Sequence, residues 1–330
     1  KVLAVVPYAP QVAGLLNGDF HWVVSDEGSM SVSSSVSVDR MAYEGSPIGN
    51  VSSEFVYMPK DKGKEHFVDG TLSMDNYEVC TLTGMYNAEG EGSINADMTL
   101  QRTPLLLLNG LVPDKLLTFM GYAQGEVKVK GSLARPEVNG ELYFDSAYVA
   151  SEPYGVKMRL CDDQLAINNS RMQFENFQLF ARNGNALTLY GYFDFADFDR
   201  MQTYLRMRAD NYLLIDSKEN ARSEAYGKAY VNFLGLVDGP LDALRMRGKL
   251  DVLGSSNVTY ILRDSPLSTE SQLDGLVKFV NFRKPETATV AKPPINGLNM
   301  DLTVNVDDGS QFLCALNPDK SNYVDLIGGG

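Results

Sequence analysis

One pattern recurs throughout the chain: short runs in which every second residue is apolar, cut by turn dipeptides. A side-chain period of two belongs to β-strands with one greasy face. In "GEVKVKG", Val127 and Val129 point one way and Lys128 and Lys130 the other. "VNGELYF" sets Val138, Leu142 and Phe144 against Glu141, and "GVKMRL" sets Val156, Met158 and Leu160 against Lys157 and Arg159. The apolar parity continues through Leu187 and Leu189, then Leu205 and Met207. It returns at Leu244, Met246, Leu250 and Val252, at Val258 and Tyr260, and at Met300, Leu302 and Val304. The charges take the opposite parity, so one face is wet, which favours antiparallel or solenoid-like pairing over a sheet covered on both sides.

Turn chemistry punctuates the runs at Arg135-Pro136, Asn139-Gly140, Asn183-Gly184, Gly239-Pro240 and Asp308-Gly309. The spacing predicts an all-β chain of roughly twenty strands. The even-numbered Val138, Leu142, Phe144, Val156, Met158 and Leu160 should share one interior with Val127 and Val129, the parity changing at the 134–137 turn. Glu141, Lys157 and Arg159 should face water. The hydroxyl-rich "GSMSVSSSVSV" (28–38) reads as another strand, with Met30, Val32, Val36 and Val38 turned inward. Short helices are expected at 113–121, after Pro113-Asp114, and at 268–282. A Pro/Thr-rich excursion is expected at 283–294, and 216–227 reads as a loop or frayed helix.

The bulk properties exclude several functions. A net charge of −13 on 330 residues opposes nucleic-acid binding, which needs cations to displace counterions from phosphates. No run reaches the roughly 20 apolar residues of a membrane-spanning helix. Three widely spaced cysteines make no disulfide framework and no zinc motif. The two histidines, His21 and His66, sit in no metal or nucleophile motif. Asp194, Asp197 and Asp199 lack the spacing of a calcium loop and read as a solvated turn. Tyr143, Tyr148, Tyr190, Tyr192 and Tyr204 are scattered, not clustered as on a glycan-binding stalk. Nothing points to an enzyme, a metal or a cofactor.

About twenty single-faced strands, stacked at ~4.8 Å each, expose more apolar area than a soluble surface tolerates. The sheet must close into a barrel, fold as a sandwich, or curl into a trough that holds something apolar. An open trough would accommodate an arginine at Phe144, Met158 or Leu205 by letting it snorkel to the mouth.

Further residues carry a resemblance. "LLNGLVPDKLLTFMGYAQGEVKVKGSLARPEVNGELYFDSAYV", "GVKMRLCDDQLAINNSRMQFENFQLFARNGNALTLYGYFDF", "MRGKLDVLGSSNVTYILRDSPLS" and "LNMDLTVNV" with "NPDKSNYVDLIGGG" succeed one another in an order that resembles the TamB family of translocation and assembly proteins. The likeness covers 104–330 well and 1–103 only loosely, so 104–330 is expected to form a TamB-type domain continuous with the first region. The resemblance implies an elongated, curved "β-taco" sheet of antiparallel strands with an apolar interior trough and one or two short helices. It implies a periplasmic section of a longer, inner-membrane-anchored protein. It also implies phospholipid acyl chains as cargo and a TamA-type outer-membrane barrel as partner. The apolar-parity residues named above, from Val127 to Val304, then become the groove lining.

Overall fold

The computed structural model describes residues 12–24, 30–43, 46–60, 64–90, 92–111, 117–132, 135–197, 200–262, 298–317 and 320–328. These residues form one 19-stranded sheet. Six strands open it as an antiparallel meander: β1 (Val12–Val24), β2 (Met30–Tyr43), β3 (Ser46–Lys60), β4 (Glu65–Met74), β5 (Tyr77–Asn87) and β6 (Ser93–Pro104). A 3₁₀ helix, Leu105–Leu111, leads to β7 (Thr118–Ser132), which pairs with both β6 and β8 (Pro136–Ser151). The sheet therefore runs without interruption past residue 103.

Beyond β8 the next strand is broken in two. β9 (Val156–Leu160) and β10 (Leu165–Asn168) pair with β8 in one unchanged register, so they are a single strand interrupted at 161–164. Next come β11 (Arg171–Phe180), β12 (Ala186–Asp194), β13 (Gln202–Ser217) and β14 (Ala225–Pro240), all antiparallel. β14 then pairs with both β15 (Leu244–Val252) and β16 (Asn257–Ile261). The last strands are β17 (Leu298–Val306), β18 (Gln311–Ala315) and β19 (Tyr323–Ile327).

The sheet is mostly antiparallel, as expected, but two pairings depart from that arrangement. β17 lies parallel on β15 and β18 parallel on β16, in the same register across both pairs. Two strand–corner–strand units are thus stacked, as in a solenoid. Each corner buries a serine, Ser256 at 2% and Ser310 at 0% exposure. Ser256 Oγ accepts from Tyr230 N–H and donates to Tyr230 C=O, while Ser310 Oγ donates to Leu253 C=O. A buried hydroxyl is tolerated because it is paired.

The strands bend at a line of bulges. Register slips occur in β2 after Val38, in β6 between Leu100 and Thr103, in β7 between Met120 and Tyr122, in β11 between Glu175 and Phe177, and in β13 between Ala209 and Tyr212. Arg40, Arg102, Ser146, Asn176 and Asn211 take positive φ along this line. A bulge adds one unpaired residue, kinks its strand and flips the parity beyond it. Hence Phe144 and then Ala147 and Val149 of β8 meet the same apolar cluster, as do Phe174 and then Phe177 and Leu179 of β11. Residues from both sides of the seam pack together, so each strand folds toward its apolar face.

The expected inward set Val138, Leu142, Phe144, Val156, Met158 and Leu160 therefore holds, while between them the bulge at Ser146 turns the odd-numbered Ala147 and Val149 inward. The expected helix over 113–121 is not formed at its end, since Thr118–Gly121 belong to β7. The helical turn precedes it, in the leucine run. Of 216–227, the ends belong to β13 and β14, and only the middle is a turn. The expected helix at 268–282 and excursion at 283–294 lie outside the described residues.

Candidate functional site

Directly paired residues put their side chains on one face of a sheet, so the register traces the lining strand by strand. It begins at Trp22 opposite Val32, which in turn faces Tyr57. It passes Phe55 and Gly70, Leu82 and Met98, then Val127 and Gly140, with Val129 opposite Val138. Leu142 opposes Leu165, Leu160 opposes Leu179, Leu187 opposes Ala209 and Leu189 opposes Met207. Leu205 opposes Val237, which opposes Met246. Leu244, Met246, Leu250 and Val252 then stand in register with Leu298, Met300, Val304 and Val306, and Gly248 with Leu302. Val258 and Tyr260 align with Phe312 and Cys314, which align with Leu326 and Val324 of the last strand.

The lining differs along its length. In the central section it is packed upon itself. Val127, Val138 and Ile167 form one cluster with Met98, Val129 and Phe195. Phe144 meets Phe177 edge-on at 6.1 Å and Phe177 meets Phe174 at 5.7 Å, above Ala147, Leu160, Leu165 and Leu189. Tyr212, Val231 and Val252 form the next cluster, with Met158, Leu187, Leu250 and Phe312 around them. Where β14 and β15 face each other through Gly235 and Gly248, the Phe233 ring fills the space; a Cβ on Gly235 would sit 2.4 Å from it.

At both ends the same lining stands open. Leu16, Phe20 and Trp22 are 67%, 62% and 71% exposed, and Met300, Val304 and Leu326 are 60%, 53% and 56% exposed. Tyr260, expected to line the groove, is 41% exposed although it shares the lining parity. Val156, Leu205, Leu244, Met246 and Leu302 are half-buried.

Between the open first section and the packed centre lies the 3₁₀ helix. Leu105 joins the central cluster, while Leu106 and Leu107 pack on Ile48, Met74 and Val79. A groove of about 980 Å³ runs beside it, lined by Ile48, Met74, Leu100, Leu106, Met120 and Tyr122 among others.

The wet face carries the charges as expected. Lys157 is exposed and Arg159 half-buried; both have the parity opposite to Met158 and Leu160. Glu141 is exposed and accepts from Gln164. The outer tyrosines are less scattered than expected: Tyr192 and Tyr204 are cross-strand partners stacked at 5.9 Å, with the Arg171 guanidinium 4.4 Å over Tyr192.

The polar candidates are occupied structurally. Asp194 accepts from Arg171 (2.7 Å) and from Ala196 N–H. Partial burial alone would raise its carboxyl, but these bonds outweigh it and hold the pKa below the ordinary 3.8. Asp197 lies 3.9 Å from Arg135, and Asp199 is outside the described residues. His66 is stacked between Tyr57 and Tyr86 on the lining face, its Nδ1 2.7 Å from the Tyr57 hydroxyl. Cys80, Cys161 and Cys314 are free thiols. Tyr212 is 1% exposed, and its hydroxyl has no hydrogen-bond partner among the described residues; burial pushes its pKa up.

Sequence reasoning missed Trp22, Phe20, Phe55 and His66 as lining, though the alternation was readable in "GDFHWVV", "SEFVYM" and "EHFVDG". It also missed Phe177 and Tyr212, because bulges move them onto the lining against the local parity. No family model, curated protein or solved structure matches this chain.

Proposed function

We propose that this chain is a section of a periplasm-spanning bridge of the TamB type. It would conduct phospholipid between inner and outer membrane along the apolar lining and support outer-membrane assembly with a TamA-type barrel. The observation that carries the reading is the continuity of one apolar lining from β1 to β19, with large side chains left open to solvent at both ends. Acyl chains need no directional contacts; each CH₂ taken from water on such a face is worth about 0.8 kcal/mol. No catalytic step is required, and the bonded carboxylates described above suit a structural role.

A second reading, a periplasmic scaffold for outer-membrane protein insertion that conducts no lipid, is favoured by one feature. The centre of the lining is filled by its own phenylalanines. Trp22 separates the two readings. It is the sole tryptophan and lies on the open lining. Phospholipid with brominated acyl chains should quench its fluorescence, and native mass spectrometry of the purified chain should show co-purified phospholipid. Unquenched Trp22 together with lipid-free spectra would leave the scaffold.

A further inference from the structure

We infer that the outer wall carries an anion site for a phosphate group, in the cleft where β8, β9, the 181–185 turn and the end of β13 meet. This site faces away from the apolar lining and does not depend on the lipid-conduction reading. The cleft encloses about 570 Å³, and Lys157, Arg159, Arg182 and Asp216 supply its charges. With Asp162 beside Arg159, three cations stand against two carboxylates and leave one net positive charge, centred on Lys157, on a chain of net charge −13. Like charges held together in this way attract an anion from solution.

The cations are positioned by neighbouring rings. Arg159 stands opposite Tyr148 on one side and Phe180 on the other, in a single cross-strand row. Its guanidinium lies 4.7 Å over the Phe180 ring, and the Lys157 ammonium lies 4.6 Å over the Tyr148 ring. Such stacking fixes a cation without neutralising it. Arg159 donates to the Leu160 carbonyl at 3.4 Å and lies 3.6 Å from Asp162, and Lys157 has no carboxylate partner among the described residues. Arg182 is bonded to Asp216 at 3.1 Å. The backbone of Asp216 is tied to the rim by its N–H donating to Gly155 C=O, 3.1 Å away. A planar guanidinium beside a point-charge ammonium is a fitting donor set for phosphate oxygens. The phosphate can come from a small soluble ester or from a lipid headgroup lying along the sheet edge; the recognising chemistry is the same.

Calorimetric titration of the whole chain with inorganic phosphate, glycerol 3-phosphate and sub-micellar dihexanoyl phosphatidate tests the site. All three should bind. Lys157→Ala should weaken each by about tenfold, and Asp216→Asn should tighten each by about threefold, because it frees Arg182. Equal affinity for the two esters assigns a soluble phosphate, whereas at least tenfold tighter phosphatidate assigns a headgroup. Lys157 is exposed, so its variant should melt with the parent. Absence of phosphate binding, or binding that neither variant changes, would overturn the site.

Discussion

The first six strands and the central strands β7–β16 share one architecture and one alternation, yet they use it differently. In 12–111 the buried apolar side chains are few: Ile48, Met74, Val79, Ala96 and Leu105. Four of these five gather around the 3₁₀ helix. In the central section the lining closes on itself through Phe144, Phe174, Phe177, Tyr212 and Val231. The difference follows from the side chains. β2 offers Ser34 where a central strand would offer a ring, so the first section lacks the volume to fill its own trough. The lesson is that a single-faced sheet becomes a core or a groove according to how much bulk its inward positions carry.

The largest test of that contrast is a pair of truncations. Phe177→Ala should cost about 3–5 kcal/mol, as for a large buried aromatic. Phe55→Ala, on the same lining but exposed, should stay within about 0.5 kcal/mol. Denaturant unfolding reads both, and equal losses would show the first section to be packed in solution. By the same logic Phe144→Arg should destabilise the centre, contrary to the open-trough expectation, because it removes the edge-on contact with Phe177 and sets a charge against that half-buried cluster.

Glycine positions sharpen the comparison next. Gly191 in β12 has φ +137°, and a Cβ there would lie 2.0 Å from the Tyr204 carbonyl oxygen. Gly191→Ala should cost about 1–3 kcal/mol. A Cβ on Gly70 in β4 meets nothing closer than 3.7 Å, at an ordinary φ. Gly70→Ala should be neutral or stabilise by about 0.5 kcal/mol through the unfolded chain. Thermal melts that rank the two the other way would count against the contrast.

A smaller effect is expected at the bend. Asn211 has φ 47°, and its backbone carbonyl accepts from Asn183 and Asn185. Asn211→Ala should lose about 1 kcal/mol for the left-handed conformation, whereas Asn211→Gly should not.

The smallest effect concerns pH. The folded pKa of Asp194 lies below 3.8, so its contribution is present above that value and lost as pH falls through the folded pKa. For so exposed a pair it should amount to less than about 1 kcal/mol. Arg171→Ala should weaken that dependence below about pH 4, leaving the part owed to Ala196 N–H; a melting profile with an unchanged acid limb would place the dependence elsewhere.

The amino-acid sequence by itself determined the fold class, the approximate strand count, the wet face and the inward parity of most residues from Val127 to Val304. These follow from the two-residue period of a strand, which is local and therefore legible. Only the tertiary structure decided where strands bend, which inward residues are packed and which stay open, and that β17 and β18 run parallel to β15 and β16. A bulge at Asn176 or Asn211 flips the parity without any apolar signal of its own. Whether Phe144 is buried depends on Phe177, more than thirty residues away across the break between β9 and β10. Pairing direction is decided by which strands meet, β17 on β15 and β18 on β16. Local periodicity encodes a side chain's face, but burial and pairing are set by neighbours remote in sequence.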